Sequence, residues 1–182
     1  MKELSLHILD IMQNSIAAGA NTIELKIIEK KELDKFIIEI GDDGKGMEKK
    51  ERDKVTDPFV TSRNTREVGL GLPLFKKAAL QCEGDFKIES YPDRGTRIKA
   101  EFTHDHIDRA PLGDIAGTIT GIIGSNPDLH IIYKHRVDQK QFEINTKFIK
   151  NEIENIQLNH PEILNWIKDY INENLENIGG GE

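Results

Sequence analysis

Apolar residues recur at a helical period from Lys2 to Ala18, and Gly19 then supplies a natural stop. After it, Ile23, Leu25 and Ile27 alternate with polar residues, and so do Phe36, Ile38 and Ile40, which predicts a β-hairpin turning through the charged stretch Lys31 to Lys35. Asp42 to Met47 reads as a glycine-rich loop and Glu48 to Val55 as a short charged helix. Thr56 to Val68 carries no period and is expected to be a mobile loop. Helical spacing resumes over Gly69 to Gln81, with Pro73 in the first turn, where a missing N–H costs nothing. A second hairpin, Phe86 to Ser90 with Arg97 to Phe102, turns through Tyr-Pro-Asp-Arg-Gly.

Beyond His104 the pattern changes. A helix from Leu112 to Gly124, a hairpin of Leu129 to Val137 with Phe142 to Asn145, and two further helices are expected, and Gly179 to Glu182 should be disordered. In the last helix Ile163, Trp166, Ile167, Tyr170 and Ile171 form one apolar stripe, for which core packing is the favoured use. The expected organisation is a first unit over residues 1–104 followed by a C-terminal appendage of unassigned role over 105–182.

Length and charge narrow the function. The 182 residues suit one good core or two small ones, and a net charge of −7 with both signs mixed along the chain offers no basic stripe for nucleic acid. No apolar run approaches the roughly 20 residues of a membrane span, so no membrane partner is expected. The N-terminus has no signal-peptide pattern, and the single cysteine, Cys82, cannot form an internal disulfide; a cytoplasmic protein with Cys82 as a small buried hydrophobe is the expectation.

Candidate chemistry lies in four short motifs. On a helical wheel His7, Asp10 and Asn14 fall in one narrow arc of an otherwise apolar first helix, which is either a structural hydrogen-bond network or a site for a polar ligand. Asp42-Asp43-Gly44-Lys45-Gly46 follows a strand directly; its carboxylate can accept from the exocyclic amine of adenine, and its glycines allow a flat ring to approach the backbone. Gly69-Leu70-Gly71-Leu72 opens a helix whose free amides and dipole suit phosphate. Gly95-Thr96 opens a strand with a hydroxyl. Each motif alone also has an ordinary structural explanation.

In their order and spacing the four resemble the ATP pocket of the GHKL (Bergerat-fold) superfamily, shared by histidine kinases, gyrase B subunits, heat-shock chaperone ATPases and MutL, over Met1 to about Phe102. The resemblance implies an α+β fold: a two-layer α/β sandwich whose mixed, mostly antiparallel sheet carries helices on one face, with a small α+β appendage behind it. It implies ATP and Mg2+ as cofactors, with Asn14 coordinating the magnesium, Asp42 holding adenine, Gly44 and Gly46 shaping the base pocket, and Thr96 supporting Asp42 through water. Gly69, Leu70, Gly71 and Leu72 would wrap the phosphates, and Asp57 to Arg63 would lead into the ATP lid, with Thr61 and Arg63 or Arg66 reaching the nucleotide.

Two motifs depart from the kinase pattern: Glu67 and Val68 stand where Gly-Thr usually precedes the glycine pair, and Asp93 replaces the first glycine of Gly-x-Gly-Thr. The dimerisation helices and phosphoacceptor histidine of a complete histidine kinase are not found, so a stand-alone domain similar to anti-sigma-factor serine kinases is expected. Asp10, one turn before Asn14, is the candidate general base, because water or a hydroxyl must lose a proton as it attacks whereas an imidazole need not. A regulatory kinase or ATPase acting on a protein client follows. An ATP-driven switch and a nucleotide sensor without chemistry are the alternatives, and a homodimer is one assembly the sequence allows. His7 is read as a satisfied core histidine, and the His104-Asp105-His106 triplet as structure or solvent rather than metal ligands.

Overall fold

A computed structural model describes residues 2–56 and 70–181. Helix α1 (Leu4–Ala17) leads into strands β1 (Thr22–Lys30) and β2 (Lys35–Asp42), joined by the 3-10 turn Lys31–Leu33. Helices α2 (Lys49–Val55) and α3 (Gly71–Gln81) follow, then β3 (Asp85–Ser90), β4 (Thr96–Thr103), α4 (Ile115–Ser125), β5 (His130–Val137), β6 (Lys140–Asn145), α5 (Thr146–Glu152) and α6 (Pro161–Ile178). Every element lies within a few residues of its expected place. The expected loop Thr56 to Val68 falls almost wholly outside the described residues.

The strands form one sheet in the order β3-β4-β2-β1-β5-β6, antiparallel except where β5 lies parallel to β1. The hairpin of the C-terminal segment therefore extends the sheet begun by the first hundred residues. Register explains why one face is buried. Ile98, Ile40, Leu25, Tyr133 and Ile144 are aligned across five strands, as are Ala100, Ile38, Ile27, His135 and Phe142. These positions are covered by α1, α3, α4 and α6, and all are under 9% exposed. On the open face the matching row is Lys99, Glu39, Lys26, Lys134 and Glu143, with Lys99 to Glu39 and Lys134 to Glu143 each at 3.7 Å. Alternate apolar and charged residues thus give a sheet with one dry and one wet side.

The C-terminal segment also holds α1. No side chain caps α1; instead the amides of Leu4 and Ser5 donate to the carbonyls of Pro111 and Leu112 at 2.9 and 2.8 Å. Helix α4 packs on α1, and α6 packs on α4. In α6 the buried stripe is Ile167, Ile171, Leu175 and Ile178, whereas Trp166, expected in the core, is 52% exposed and stacks on Tyr170 at 5.4 Å.

Two expectations are corrected here. The tail is ordered through Gly181, whose N–H donates to Glu29 at 3.0 Å. Glu29 is fully buried at the end of β1 and also meets Nε2 of His135 at 2.8 Å and Nε2 of His104 at 3.1 Å. Burial alone would raise its carboxyl pKa, but these hydrogen bonds, His135 foremost, outweigh it and hold the group at about 2. His7 is buried as expected and stacks on Phe75 at 5.4 Å, yet among the described residues its Nδ1 has no hydrogen-bond partner, which departs from the satisfied core histidine expected. Cys82 is buried, as expected, and among the described residues no helix is long and apolar enough to cross a membrane.

Candidate functional site

A cavity of about 380 Å3 opens between α1, the Asp42–Met47 loop and the start of α3. Asn14, Ser15, Asp42, Gly46, Leu72 and Thr96 line it, so four separate motifs meet in one place. The fold does this by setting β2 and β4 side by side, which pairs Asp42 with Thr96 across the sheet.

The two adjacent aspartates have different work. Asp43 is spent on structure: its carboxylate accepts from the amides of Asn21 and Thr22 at 2.7 and 2.8 Å. Burial pushes its pKa up, but those amides win and hold it below the usual carboxylate range. Asp42 faces the cavity. Its Oδ2 accepts from the Ser15 hydroxyl at 2.6 Å, and its Oδ1 from the amides of Gly44 and Thr96 at 2.9 and 3.3 Å. A carboxylate fixed by three donors is oriented before any ligand arrives and can still accept from an amine.

The glycines interlock two turns. A Cβ on Gly46, at φ +66°, would lie 1.9 Å from the carbonyl oxygen of Tyr91, and one on Gly95, at φ +76°, 1.9 Å from that of Asp42. The Asp42–Met47 loop therefore presses backbone to backbone on the β3–β4 turn, and only glycine fits at either contact. Asp93, which stands where the kinase pattern has glycine, is left-handed at φ 57° and donates its N–H to the carbonyl of Lys45 at 2.7 Å. Aspartate is one of the residues that tolerates this conformation, so the substitution keeps the turn. The Thr96 hydroxyl lies 2.8 Å from that of Ser90, and Ser90 Oγ in turn accepts from the amide of Met47 at 2.9 Å, fastening the loop from below.

At the other end, Gly71 begins α3 with no capping side chain, and Pro73 has no N–H to offer. A Cβ on Gly71 would be 3.0 Å from Cβ and 3.3 Å from Oδ2 of Asp10, so the Asp10 carboxylate rests against the start of α3. Asn14 makes no side-chain hydrogen bond among the described residues, which leaves its carboxamide oxygen available to a magnesium ion at the cavity wall. Leu72 is buried in the cavity wall and Leu70 is 58% exposed. Thr61, Arg63, Arg66 and Gly69 lie outside the described residues. Ser15 is the residue that sequence reasoning passed over. Its signal is legible in retrospect, since with Leu4, Ile8, Ile11 and Met12 it occupies the apolar stripe of α1 and is the polar member of it.

Comparison with known proteins identifies a family and a fold. Residues 2–106 match the family model described as histidine kinase-, DNA gyrase B- and HSP90-like ATPase. Sporulation kinase D of Bacillus subtilis (strain 168) is 35% identical over 95 residues, which is 50% of this chain and 18% of that protein. A putative sensor protein of Shewanella frigidimarina (strain NCIMB 400) is 28% identical over 103 residues, 56% of this chain and 16% of the other. The chain thus spans less than a fifth of either relative. Among solved structures, the Aquifex aeolicus MutL ATPase domain complexed with ADP superposes with a TM-score of 0.56 at 13% identity, covering 85% of this chain and 68% of that one. An N-terminal domain of a DNA repair protein gives 0.52 at 15% identity, covering 79% and 52%. At these identities the structural likeness concerns the fold.

Proposed function

Because the chain belongs to the histidine kinase-, DNA gyrase B- and HSP90-like ATPase family, we propose that it binds Mg-ATP in the α1–α3 cavity and passes the γ-phosphoryl group to a hydroxyl of a protein serine or threonine, or to water. The observation that carries this reading is the placement of Asp10: a carboxylate set against the uncapped start of α3, one helical turn from Asn14. Asp42 would accept from the adenine amine, and Gly71 and Leu72 would offer amides to the phosphates. Asn14 would hold the magnesium, whose charge offsets that of the phosphates. Asp10 would take the proton of the attacking hydroxyl while its oxygen bonds to the γ-phosphorus and the bond to the ADP oxygen breaks.

A second reading rests on a specific contact. Pro111 and Leu112 hold the first amides of the helix that carries Asp10 and Asn14, so nucleotide binding could be relayed to the C-terminal segment as a conformational switch toward a protein client. Incubation with γ-labelled ATP and cell extract separates the readings. A labelled protein band supports the kinase, released phosphate the ATPase, and neither, with ATP bound, the switch or sensor. Asp10→Asn is expected to abolish transfer and release while sparing ATP binding; unchanged turnover in that variant refutes the base assignment.

A further inference from the structure

Far along the sheet from the nucleotide cavity, at the opposite end of β1, three side chains from two separate parts of the chain converge. Asp34 ends the 3-10 turn in a left-handed conformation, φ 51°. Its carbonyl accepts the amide of His104 at 3.0 Å and its Oδ1 the amide of Asp105 at 2.9 Å, so the β1–β2 turn and the exit of β4 are locked together. One ligand atom from each of Asp34, His104 and Asp105 lies within 4.8 Å of the others.

The tautomer of His104 gives the cluster its meaning. Its ring is 6% exposed, and Nε2 faces Glu29, a buried carboxylate that can only accept. Nε2 must therefore carry a hydrogen, and in the neutral ring Nδ1 is a lone pair. That lone pair points at Oδ1 of Asp105, another acceptor, at 2.8 Å. Two acceptors at this distance require a positive species between them, and the second carboxylate, Asp34, stands beside them. A proton on Nδ1 is one solution and a metal ion is the other. The remaining ring nitrogen donating to a buried carboxylate is the arrangement by which proteins orient a metal-bound histidine.

We propose that Asp34, His104 and Asp105 bind a divalent transition-metal ion of the zinc class through Nδ1 of His104 and one oxygen of each aspartate. Ligand atoms held about 2.0–2.2 Å from a tetrahedral zinc ion stand roughly 3.3–3.6 Å from one another. Asp105, with its side chain 85% exposed, is free to rotate outward from 2.8 Å to that spacing. Asp34 keeps Oδ2 for the ion while Oδ1 holds the Asp105 amide. Lys31 and Arg109 lie close enough to act on Asp105 electrostatically, which lowers the affinity from that of an isolated cluster. His106 takes no part, because its Nδ1 accepts the amide of Asp108 at 3.1 Å. Such an ion would clamp the β1–β2 turn to the start of the C-terminal segment, and through His104 and Glu29 to the Gly181 tail.

The test uses the whole chain, stripped with a chelator and free of nucleotide and magnesium. Titration with ZnCl2 by calorimetry is expected to show one ion per chain, and Co2+ in its place the visible absorption of a tetrahedral site. Asp34→Asn keeps the left-handed backbone and Asp105→Asn lies at the surface, so both fold; each should weaken zinc by about 10- to 100-fold and leave the metal-free melting temperature unchanged. Zinc should raise the melting temperature of the wild type and not of the variants. Absence of saturable binding means that a proton alone fills the contact, and binding retained by both variants means that other histidines hold the ion; either result overturns the proposal.

Discussion

Gly46 and Gly19 make a matched pair for testing why the nucleotide loop needs glycine. Both have left-handed backbones, at φ +66° and +77°, but a Cβ on Gly19 meets nothing within 4 Å, whereas one on Gly46 lies 1.9 Å from the Tyr91 carbonyl oxygen and 2.8 Å from its carbon. Gly19→Ala is therefore expected to cost only the left-handed penalty, about 1 kcal/mol. Gly46→Ala adds a clash that side-chain rotation cannot relieve, since both partners are backbone; the β3–β4 turn must retreat from the loop, for a further cost of about 1–3 kcal/mol. In a chain of this size each kcal/mol moves the melting temperature by roughly 2–4 °C. Thermal and urea unfolding of the two variants should differ accordingly, with Gly46→Ala the lower. ATP affinity should fall in Gly46→Ala, because the retreating turn carries Gly95 and Thr96, and stay unchanged in Gly19→Ala. Equal stability of the two variants refutes the interlocked-turn account; if Gly46→Ala is then stable yet loses ATP, the glycine serves the ring of the base instead.

Two further outcomes follow from buried polar groups. Ser15→Ala removes a 2.6 Å hydrogen bond to the Asp42 carboxylate and is expected to cost about 1–3 kcal/mol. Urea unfolding measures it, and a neutral result means that Ser15 does not hold Asp42. His7 has its pKa lowered from 6.5 to about 4 by burial, so the folded protein keeps it neutral while the unfolded chain takes a proton as pH falls through 6.5. It contributes nothing above that pH; between 6.5 and 4 it erodes stability by up to about 3 kcal/mol. His7→Leu should flatten the pH dependence of unfolding in this window, and an unchanged slope contradicts the assignment.

The elements were legible because each leaves a local period. Leu25 stands between Glu24 and Lys26 since one side of the sheet is wet, and Gly71 and Pro73 mark a helix start by their own backbone chemistry. The pocket was legible for a related reason: Asn14, Asp42, Gly46 and Thr96 sit in short motifs at element ends, where sequence and geometry are closely tied. What stayed hidden depends on distant pairing. Nothing local in His130–Val137 says that it lies parallel to β1, and no spacing brings Asp34 to His104 or Gly181 to Glu29. Ser15 looked like an imperfection in an apolar stripe until Asp42 was placed opposite it. Asp93, which departs from the kinase pattern, occupies a left-handed turn position that aspartate tolerates.

The most direct test is calorimetric titration of ATP with MgCl2 into the wild-type chain and into Asp42→Asn. The account predicts one ATP per wild-type chain. It also predicts about 10- to 100-fold weaker binding in the variant, where an amide N–H or a weaker acceptor meets the adenine amine, with folding preserved because the carboxamide oxygen still accepts from Gly44 and Thr96 while its NH2 donates to the Ser15 hydroxyl. No ATP binding by the wild type, or equal affinity in Asp42→Asn, contradicts the claim that this cavity is a nucleotide site.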